Sequence, residues 1–344
     1  MTRARDSDTA PANTQPLRYA IVGAGAIGSA LAARLTAAGR DVRLVARGAR
    51  AEHLKRHGIR LIENGETFDT RPAIVAMGDV RRADVVFVTV KSPSLADVLR
   101  ELAPRLRPST CIVPMVNGMP FWYFMDQPAP YRAIESIDPG GTLLAMFDPL
   151  QIVGAVVYTT AALEEEDMVA RIFTRQRFTL GAVGAQADTR VAAIVRDLAN
   201  AGLDVTENPV IRDELWTKVA LNLATNPLSV VSEAGLEAMF TDPPLLRAVL
   251  NCLDETWAVA RHYQAIPTLS RDAMIALGRK SGRFQTSMLK DYLAGRPLEL
   301  AAIYESVVEL AAAAGLTLPT ARTIADLANF KAANQPASKR RTLP

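Results

Sequence analysis

Tyr19–Leu35 reads YAIVGAGAIGSALAARL, and this stretch decides the fold. Tyr19–Val22 is a short apolar run with the character of a buried strand. Gly23, Gly25 and Gly28 follow at G-x-G-x-x-G spacing, and Ile27, Leu31 and Leu35 then recur at helical spacing with alanines between them. Strand, tight glycine turn and helix in succession form the context that makes this motif a dinucleotide-binding fingerprint. Gly23 permits the turn, Gly25 lets the backbone approach a pyrophosphate, and Gly28 lets helix and strand pack closely. The helix N-terminus turns unpaired N–H groups and a partial positive charge toward the phosphates. The alternative, a glycine turn with no ligand, fits the flanking pattern less well.

Outward from the turn, Gly39 suits a helix end and Asp41–Ala46 (DVRLVA) reads as the second strand. NAD-specific folds place a carboxylate about 20 residues past the glycines, where it bonds the ribose 2′-OH. Here Ala46 and Arg47 stand at that place, with Arg50 close behind. A guanidinium pairs with a 2′-phosphate in a fork, so NADP(H) is preferred over NAD(H), although a solvated surface arginine would look the same. Gly58–Ile62 and Phe68–Ala76 read as strands around an Asn64-Gly65 hairpin turn. Ala83–Val90 (ADVVFVTV) is the near-continuous apolar run of a parallel strand covered on both faces. Lys91 and Ser92 lie at its ligand-facing end, followed by a helix over Pro93–Leu106. Thr110–Val116 is the next strand and ends in Asn117-Gly118, which ordinary turn chemistry also explains. The aromatic run Phe121–Met125 (FWYFM) reads as core or interface packing. Strands over Gln151–Thr159 and Arg177–Leu180 complete the domain, and the acidic run Glu164–Asp167 reads as a solvated loop or helix start.

The chain has 344 residues, which suggests two domains, and 49% are hydrophobic, enough for a sizeable core. The net charge of +3, from 39 basic and 36 acidic residues, points to neither nucleic acid nor a membrane surface. Cys111 and Cys252 each sit in an apolar run, as buried thiols in a reducing compartment do. His53, His57 and His262 have no metal-ligand spacing, and no metal is expected. No apolar run approaches the ~20 residues of a membrane span. The opening residues lack the apolar core of a secretory signal, and residues 1–16 and 334–344 read as disordered tails of a cytoplasmic protein. The expected division is a nucleotide-binding domain over 17–186 and a helical substrate and dimerisation domain over 187–333.

In that second part helices are expected over Asp188–Asn200, Ile211–Leu223, Pro244–Tyr263, Ser270–Leu277, Thr286–Ala294, Leu298–Ala314 and Thr320–Ala333. Lys218, Asn222 and Asn226 lie at i, i+4 and i+8 and share one helix face, which Pro227 is expected to close. A lysine with amides one and two turns away is a plausible carbonyl-handling site. Periodicity alone slightly favours the blander reading, a surface pair between Lys218 and Glu214 at i−4. Ser287 sits where a helix begins, and Glu299 in the first turn of another, where capping and the helix dipole explain them equally well.

Taken together, these blocks resemble the ketopantoate reductase family (2-dehydropantoate 2-reductase, NADP-dependent) from about Tyr19 to Leu327. The matching residues are G-A-G-A-I-G at Gly23–Gly28, V-A-R at Val45–Arg47, V-T-V-K at Val88–Lys91 and V-N-G at Val116–Gly118. Further on they are ELWTKVALNLATNPL at Glu214–Leu228, SMLKD at Ser287–Asp291 and AGRPLE at Ala294–Glu299. The resemblance implies an α/β fold, with an N-terminal Rossmann domain and an all-helical C-terminal domain similar to the 6-phosphogluconate dehydrogenase type. The active site would lie between them. It implies Lys218 as the general acid that protonates the ketone oxygen, with Glu299 near the substrate hydroxyl and the cofactor ribose. Asn222, Asn226 and Ser287 would hold the substrate, Ser287 near its carboxylate. Gly23, Ala24, Gly25, Ala26, Ile27 and Gly28 would seat NADP(H), Arg47 would meet its 2′-phosphate, and Lys91 and Asn117 would line the nicotinamide side. The partner implied is a small keto acid, with a homodimer as the expected assembly and the FWYFM run as one surface for it. The sequence departs from the family at Met119-Pro120, at Val156–Ala162 (VVYTTAA), at Leu300 and at Phe284. These departures keep two alternatives open: a bulkier keto acid or ketone, and a catalytically silent NADP-binding regulator.

Overall fold

The computed structural model describes residues 16–127, 133–159, 161–164, 169–172, 176–184 and 189–335. The tails expected over 1–16 and 334–344 lie almost wholly outside them. The first half runs β1 (Arg18–Val22), α1 (Ala26–Ala37), β2 (Asp41–Val45), α2 (Gly48–His57), β3 (Ile59–Glu63), β4 (Glu66–Thr70) and β5 (Ala73–Val75). It continues with β6 (Val85–Val88), α3 (Ser92–Leu102), β7 (Cys111–Pro114), β8 (Val153–Tyr158), β9 (Ala161–Glu164), β10 (Val169–Ile172), β11 (Arg177–Ala182), α4 (Thr189–Asn200) and β12 (Val205–Glu207).

Five strands form an all-parallel sheet in the order β5-β2-β1-β6-β7, with β6 buried along its whole length. A three-stranded sheet, β12-β11-β8, stands beside β7 through a parallel bridge between Ile112 and Ile152. The hairpin β3–β4 forms at Asn64 and Gly65, both with positive φ (51° and 81°), as an Asn-Gly turn requires. The strand expected over Phe68–Ala76 is two strands. Arg71-Pro72 interrupts it, because proline has no N–H for a ladder, and β5 joins the parallel sheet instead.

β3 and β4 pair with β9 and β10 in a second sheet, β4-β3-β10-β9, which covers α1 from outside. Its two short strands β9 and β10 have no signal in the sequence. Glu164 therefore ends a strand rather than opening a loop, and the rest of that acidic run lies outside the described residues. Enclosure between two sheets accounts for the alanines of α1, whose residues Gly28–Ala33 are all buried. Arg34, at its far end, pairs with the buried Glu63 at 2.8 Å and lies 4.5 Å over the Phe68 ring.

α4 packs its Val191, Ile194 and Leu198 into the core of the first sheet, and Asp197 accepts from Tyr19 Oη at 2.5 Å and pairs with Arg40 at 2.8 Å. With β12 hydrogen-bonded to β11, the α/β unit extends past the boundary expected at 186/187, to Glu207. The helical domain begins with α5 (Ile211–Ser232) and adds α6 (Leu236–Thr241), α7 (Pro243–His262), α8 (Arg271–Arg279) and α9 (Ser287–Leu293). A π turn (Ala301–Glu305) then leads into α10 (Ser306–Ala313), and α11 (Pro319–Ala333) follows.

α5 is the central helix, packed against α7, α9 and α11. It runs through Pro227 for a further turn and more, where the sequence reading ended it. Fifteen of its residues are buried, and that packing outweighs the one backbone bond the proline removes. The aromatic run Phe121–Met125 is interior. Tyr123 meets Trp216 edge-on at 6.0 Å and accepts its Nε1–H at 2.7 Å, while Arg212 donates to the carbonyls of Tyr123 and Met125, each at 2.9 Å. The run joins the sheet to α5 as core packing, so it offers no face to a second subunit. Cys111 and Cys252 are buried and unbridged, and burial pushes the Cys252 thiol up to about 12. Among the described residues no helix is long and apolar enough to cross a membrane.

Candidate active site

The glycine turn has the geometry its spacing calls for. Gly23 has φ +113°, and a Cβ on Gly28 would fall 1.9 Å from the Gly23 carbonyl and 2.4 Å from Thr89 Oγ1. Thr89, just past β6, locks the turn by donating to the Gly23 carbonyl at 2.7 Å. Gly25 has nothing within 4 Å of its absent Cβ, and no side chain caps α1. Open space above uncapped N–H groups fits a pyrophosphate. Ala24, Ala26 and Ile27 line the same turn and are half-buried. Arg47 leaves the end of β2 as an exposed side chain paired with Glu101 at 2.7 Å. Arg50 lies closer to the turn, donating to the Ala24 carbonyl at 3.2 Å and to Ser29 Oγ at 3.0 Å.

Lys218 projects from α5 toward the C-terminal ends of the strands. Its Nζ donates to Asn117 Oδ1 at 2.8 Å and to the Val157 carbonyl at 2.5 Å, and lies 5.8 Å from the centre of the Tyr158 ring. Three segments far apart in sequence, the turn after β7, the end of β8 and α5, thus meet on one nitrogen. The surface pair with Glu214 does not form: Glu214 is buried and faces Arg177 at 3.5 Å and Thr268 Oγ1 at 2.7 Å. Burial lowers the Lys218 pKa to about 8, partly offset by the charge of Glu299.

Asn222 and Asn226 follow on the same face of α5, Asn222 half-buried and Asn226 buried. Among the described residues no hydrogen bond ties either side-chain amide to the protein. Ser287 is the exposed first residue of α9. The cap is Thr286, whose Oγ1 accepts from the Leu289 N–H at 3.1 Å, so the Ser287 hydroxyl has no capping duty. Glu299 accepts from the Ser92 N–H at 3.2 Å, at the start of α3. Burial raises its pKa, while Lys91 and the Ser92 N–H pull it back down.

Lys91 crosses between the domains and meets both oxygens of Asp291 at 3.0 Å, and Asp291 also takes Arg296 Nε at 2.7 Å. Asp291 and Arg296 were not singled out as site residues in the sequence. Both lie in the blocks that carry the family resemblance, SMLKD and AGRPLE, and that was the signal that could have found them. Asn117 is positioned by its neighbour. Gly118 has φ +84° and would place a Cβ 2.1 Å from the Ala302 carbonyl, which also accepts the Met119 N–H at 2.7 Å. That carbonyl belongs to the π turn, where Ser306 N–H reaches back five residues to Ala301. The predicted residues therefore fall into two groups. The glycines and Arg47 lie at the C-terminal ends of β1 and β2, and Lys218 with Asn117, Lys91 and Glu299 make the contacts where the two domains meet. Asn222 and Asn226 share the Lys218 face of α5, and Ser287 opens α9, which packs on α5. Among the described residues no group of three or more His, Cys, Asp or Glu could hold a metal ion.

The family model described as ketopantoate reductase PanE/ApbA matches residues 19–185, and the model of its C-terminal part matches residues 210–332. A 2-dehydropantoate 2-reductase of Mesorhizobium japonicum is 32% identical over 308 residues, covering 88% of this chain and 94% of the relative. A solved structure from Ralstonia solanacearum, provisionally named a ketopantoate reductase, matches with a TM-score of 0.84 at 32% identity, over 93% of this chain and 99% of that one. The ternary structure of a D-mandelate dehydrogenase with NADH and anilino(oxo)acetate matches with a TM-score of 0.79 over 92% and 99% of the two chains. At 19% identity that likeness is one of fold alone.

Proposed function

The chain belongs to the ketopantoate reductase family of oxidoreductases, and on that premise we propose that it uses NADPH to reduce a 2-keto acid to a 2-hydroxy acid, most simply 2-dehydropantoate to pantoate in pantothenate synthesis. The observation that carries this reading is Lys218, half-buried between domains and, among the described residues, hydrogen-bonded only to an amide oxygen and a carbonyl oxygen. An ammonium so placed is still mostly protonated at neutral pH, and its pKa of about 8 makes it a competent acid there.

Bound nicotinamide supplies the hydride that the carbonyl carbon receives. Lys218 stabilises the negative charge that develops on the carbonyl oxygen and delivers the proton from Nζ. Asn222 and Asn226 orient the keto acid, Ser287 meets its carboxylate, and Glu299 accepts from its hydroxyl. A buried polar site of this kind discriminates against analogues that leave it unpaired. Gly23–Gly28 would hold the pyrophosphate, Lys91 and Asn117 the nicotinamide side. Arg47 would read the 2′-phosphate, which favours NADP(H) because no carboxylate stands at the end of β2. In this scheme the α/β part carries the cofactor, the helical part carries substrate contacts and dimerisation, and the enzyme works in the cytoplasm.

Oxidation of NADPH and of NADH is followed spectrophotometrically with 2-dehydropantoate, pyruvate and a branched 2-keto acid. Saturable turnover of 2-dehydropantoate with NADPH, abolished in Lys218→Ala, is the expected result. Binding of NADPH with none of the acids reduced would make the protein a silent cofactor binder. A second reading, a bulkier or more apolar keto acid, is favoured by Phe284 alone, half-buried near Ser287 and 4.8 Å from Lys290 Nζ. Met119, Pro120 and the aromatic run, which suggested it in the sequence, are buried as core. Turnover of the branched acid in preference to 2-dehydropantoate would favour it.

A further inference from the structure

Glu214 stands one helical turn before Lys218, the spacing at which a glutamate and a lysine pair on a helix face. The fold directs that carboxylate elsewhere. Arg177, at the start of β11, reaches Oε1 at 3.5 Å, and Thr268, between α7 and α8, donates its hydroxyl to Oε2 at 2.7 Å. Thr268 is itself anchored to α5, its N–H donating to Thr217 Oγ1 at 2.6 Å. The Arg177 guanidinium also lies 4.6 Å over the ring of Tyr158, the ring that faces Lys218 at 5.8 Å, and the Tyr158 hydroxyl faces Glu214 as well, burial and that carboxylate raising its pKa. The ammonium is left with Asn117 from the β7 turn, and the Val157 carbonyl and Tyr158 ring from β8. Glu299 is the carboxylate whose field reaches it, with Lys91 and Asp291 behind.

We propose that Arg177 and Thr268 are positioning residues that hold the Glu214 carboxylate off Lys218, so that the ammonium rests on neutral oxygens and its proton is available to the substrate. This rests on Lys218 being the proton donor proposed above. A carboxylate released to the i−4 position would sit within a few ångströms of Nζ and favour the charged form by about 1–3 pK units. The lysine would then be a weaker acid, and the proton transfer slower.

The test uses Arg177→Gln and Thr268→Val in the full chain, each alone and combined with Glu214→Gln. One readout is the alkaline limb of kcat/KM for reduction. The other needs no turnover: the pH dependence of acylation of Lys218 by an amine-directed reagent, followed by peptide mass spectrometry. Release of Glu214 is expected to raise the midpoint of both by about one unit or more. Glu214→Gln in the same chain is expected to return both close to the wild-type value. Arg177→Lys, which keeps a cation for Glu214, is expected to move them less. Should Arg177→Gln fail to fold, Thr268→Val carries the test. Midpoints unmoved in folded variants would overturn the proposal, as would midpoints that shift but are not restored by Glu214→Gln. If the wild type reduces no keto acid while the acylation midpoint shifts and is restored, the positioning stands and the proton-donor reading fails.

Discussion

The glycine turn and the interdomain cleft are built in opposite ways. The turn is six consecutive residues, and what it offers is backbone: a positive φ at Gly23, an absent Cβ at Gly28 and empty space at Gly25. The cleft is side chains brought together over long separations. Lys218 meets Asn117 101 residues away, Lys91 meets Asp291 200 away, and Glu299 meets the Ser92 N–H 207 away. Two lysines within the cleft differ as well. Lys91 faces a carboxylate through two bonds, whereas among the described residues Lys218 donates only to neutral oxygens. The first pair links the two domains, and the second lysine is the one proposed to give up its proton. On the proposed reading, contiguous backbone would recognise a group common to many nucleotides, and assembled side chains would do the selective chemistry.

This contrast is broken most sharply at Lys218. Lys218→Ala is expected to lower kcat by about 10²–10⁴-fold, with NADPH affinity and thermal melting close to wild type. Loss of cofactor affinity instead would put the lysine on the nucleotide side. Gly28→Ala is the converse, since its Cβ would lie 1.9 Å from the Gly23 carbonyl. Overpacking of this kind costs about 1–3 kcal/mol, and titration should show NADPH binding weakened by about tenfold or more along with a lower melting temperature. The two lysines are separated by pH. On the proposed role the protonated form of Lys218 is the active one, so reductive kcat/KM should be level below about 8 and fall as pH rises through that value. Asp291→Asn removes the charge partner of Lys91 and should cost about tenfold in kcat/KM without moving that limb. The smallest effect is expected at Arg47, whose side chain is 68% exposed. Arg47→Ala should weaken NADPH binding by up to about tenfold and leave NADH binding unchanged. Equal weakening of both nucleotides would remove Arg47 from 2′-phosphate recognition.

Legibility in the sequence follows the same division. The β1–turn–α1 unit, the Asn64-Gly65 hairpin and the buried run of β6 could be read because each is a short-range pattern with one physical solution. The short strands β9 and β10 could not, since they are defined by pairing with β3 rather than by their own periodicity. Pro227 misled because helix rules price a lone helix, and α5 is enclosed by three others. The face shared by Lys218, Asn222 and Asn226 was visible from spacing, but its partner was not. The i−4 rule pointed to Glu214, and the nearer truth was an asparagine in the other domain. Roles for Ser287 and Glu299 came from family resemblance. Their local surroundings, a helix start and a first turn, say nothing of a cleft until the domains are joined.

Gly118 carries a consequence for how such proteins can be recombined. The loop that presents Asn117 is seated on the Ala302 carbonyl of the helical half, at a distance that admits no side chain. A chimera joining this nucleotide-binding half to another helical half would bring a mismatched mount for that loop, even with every cleft side chain supplied. The exchangeable module is therefore larger than either domain: it is the helical half together with the Asn117–Met119 loop that docks on it.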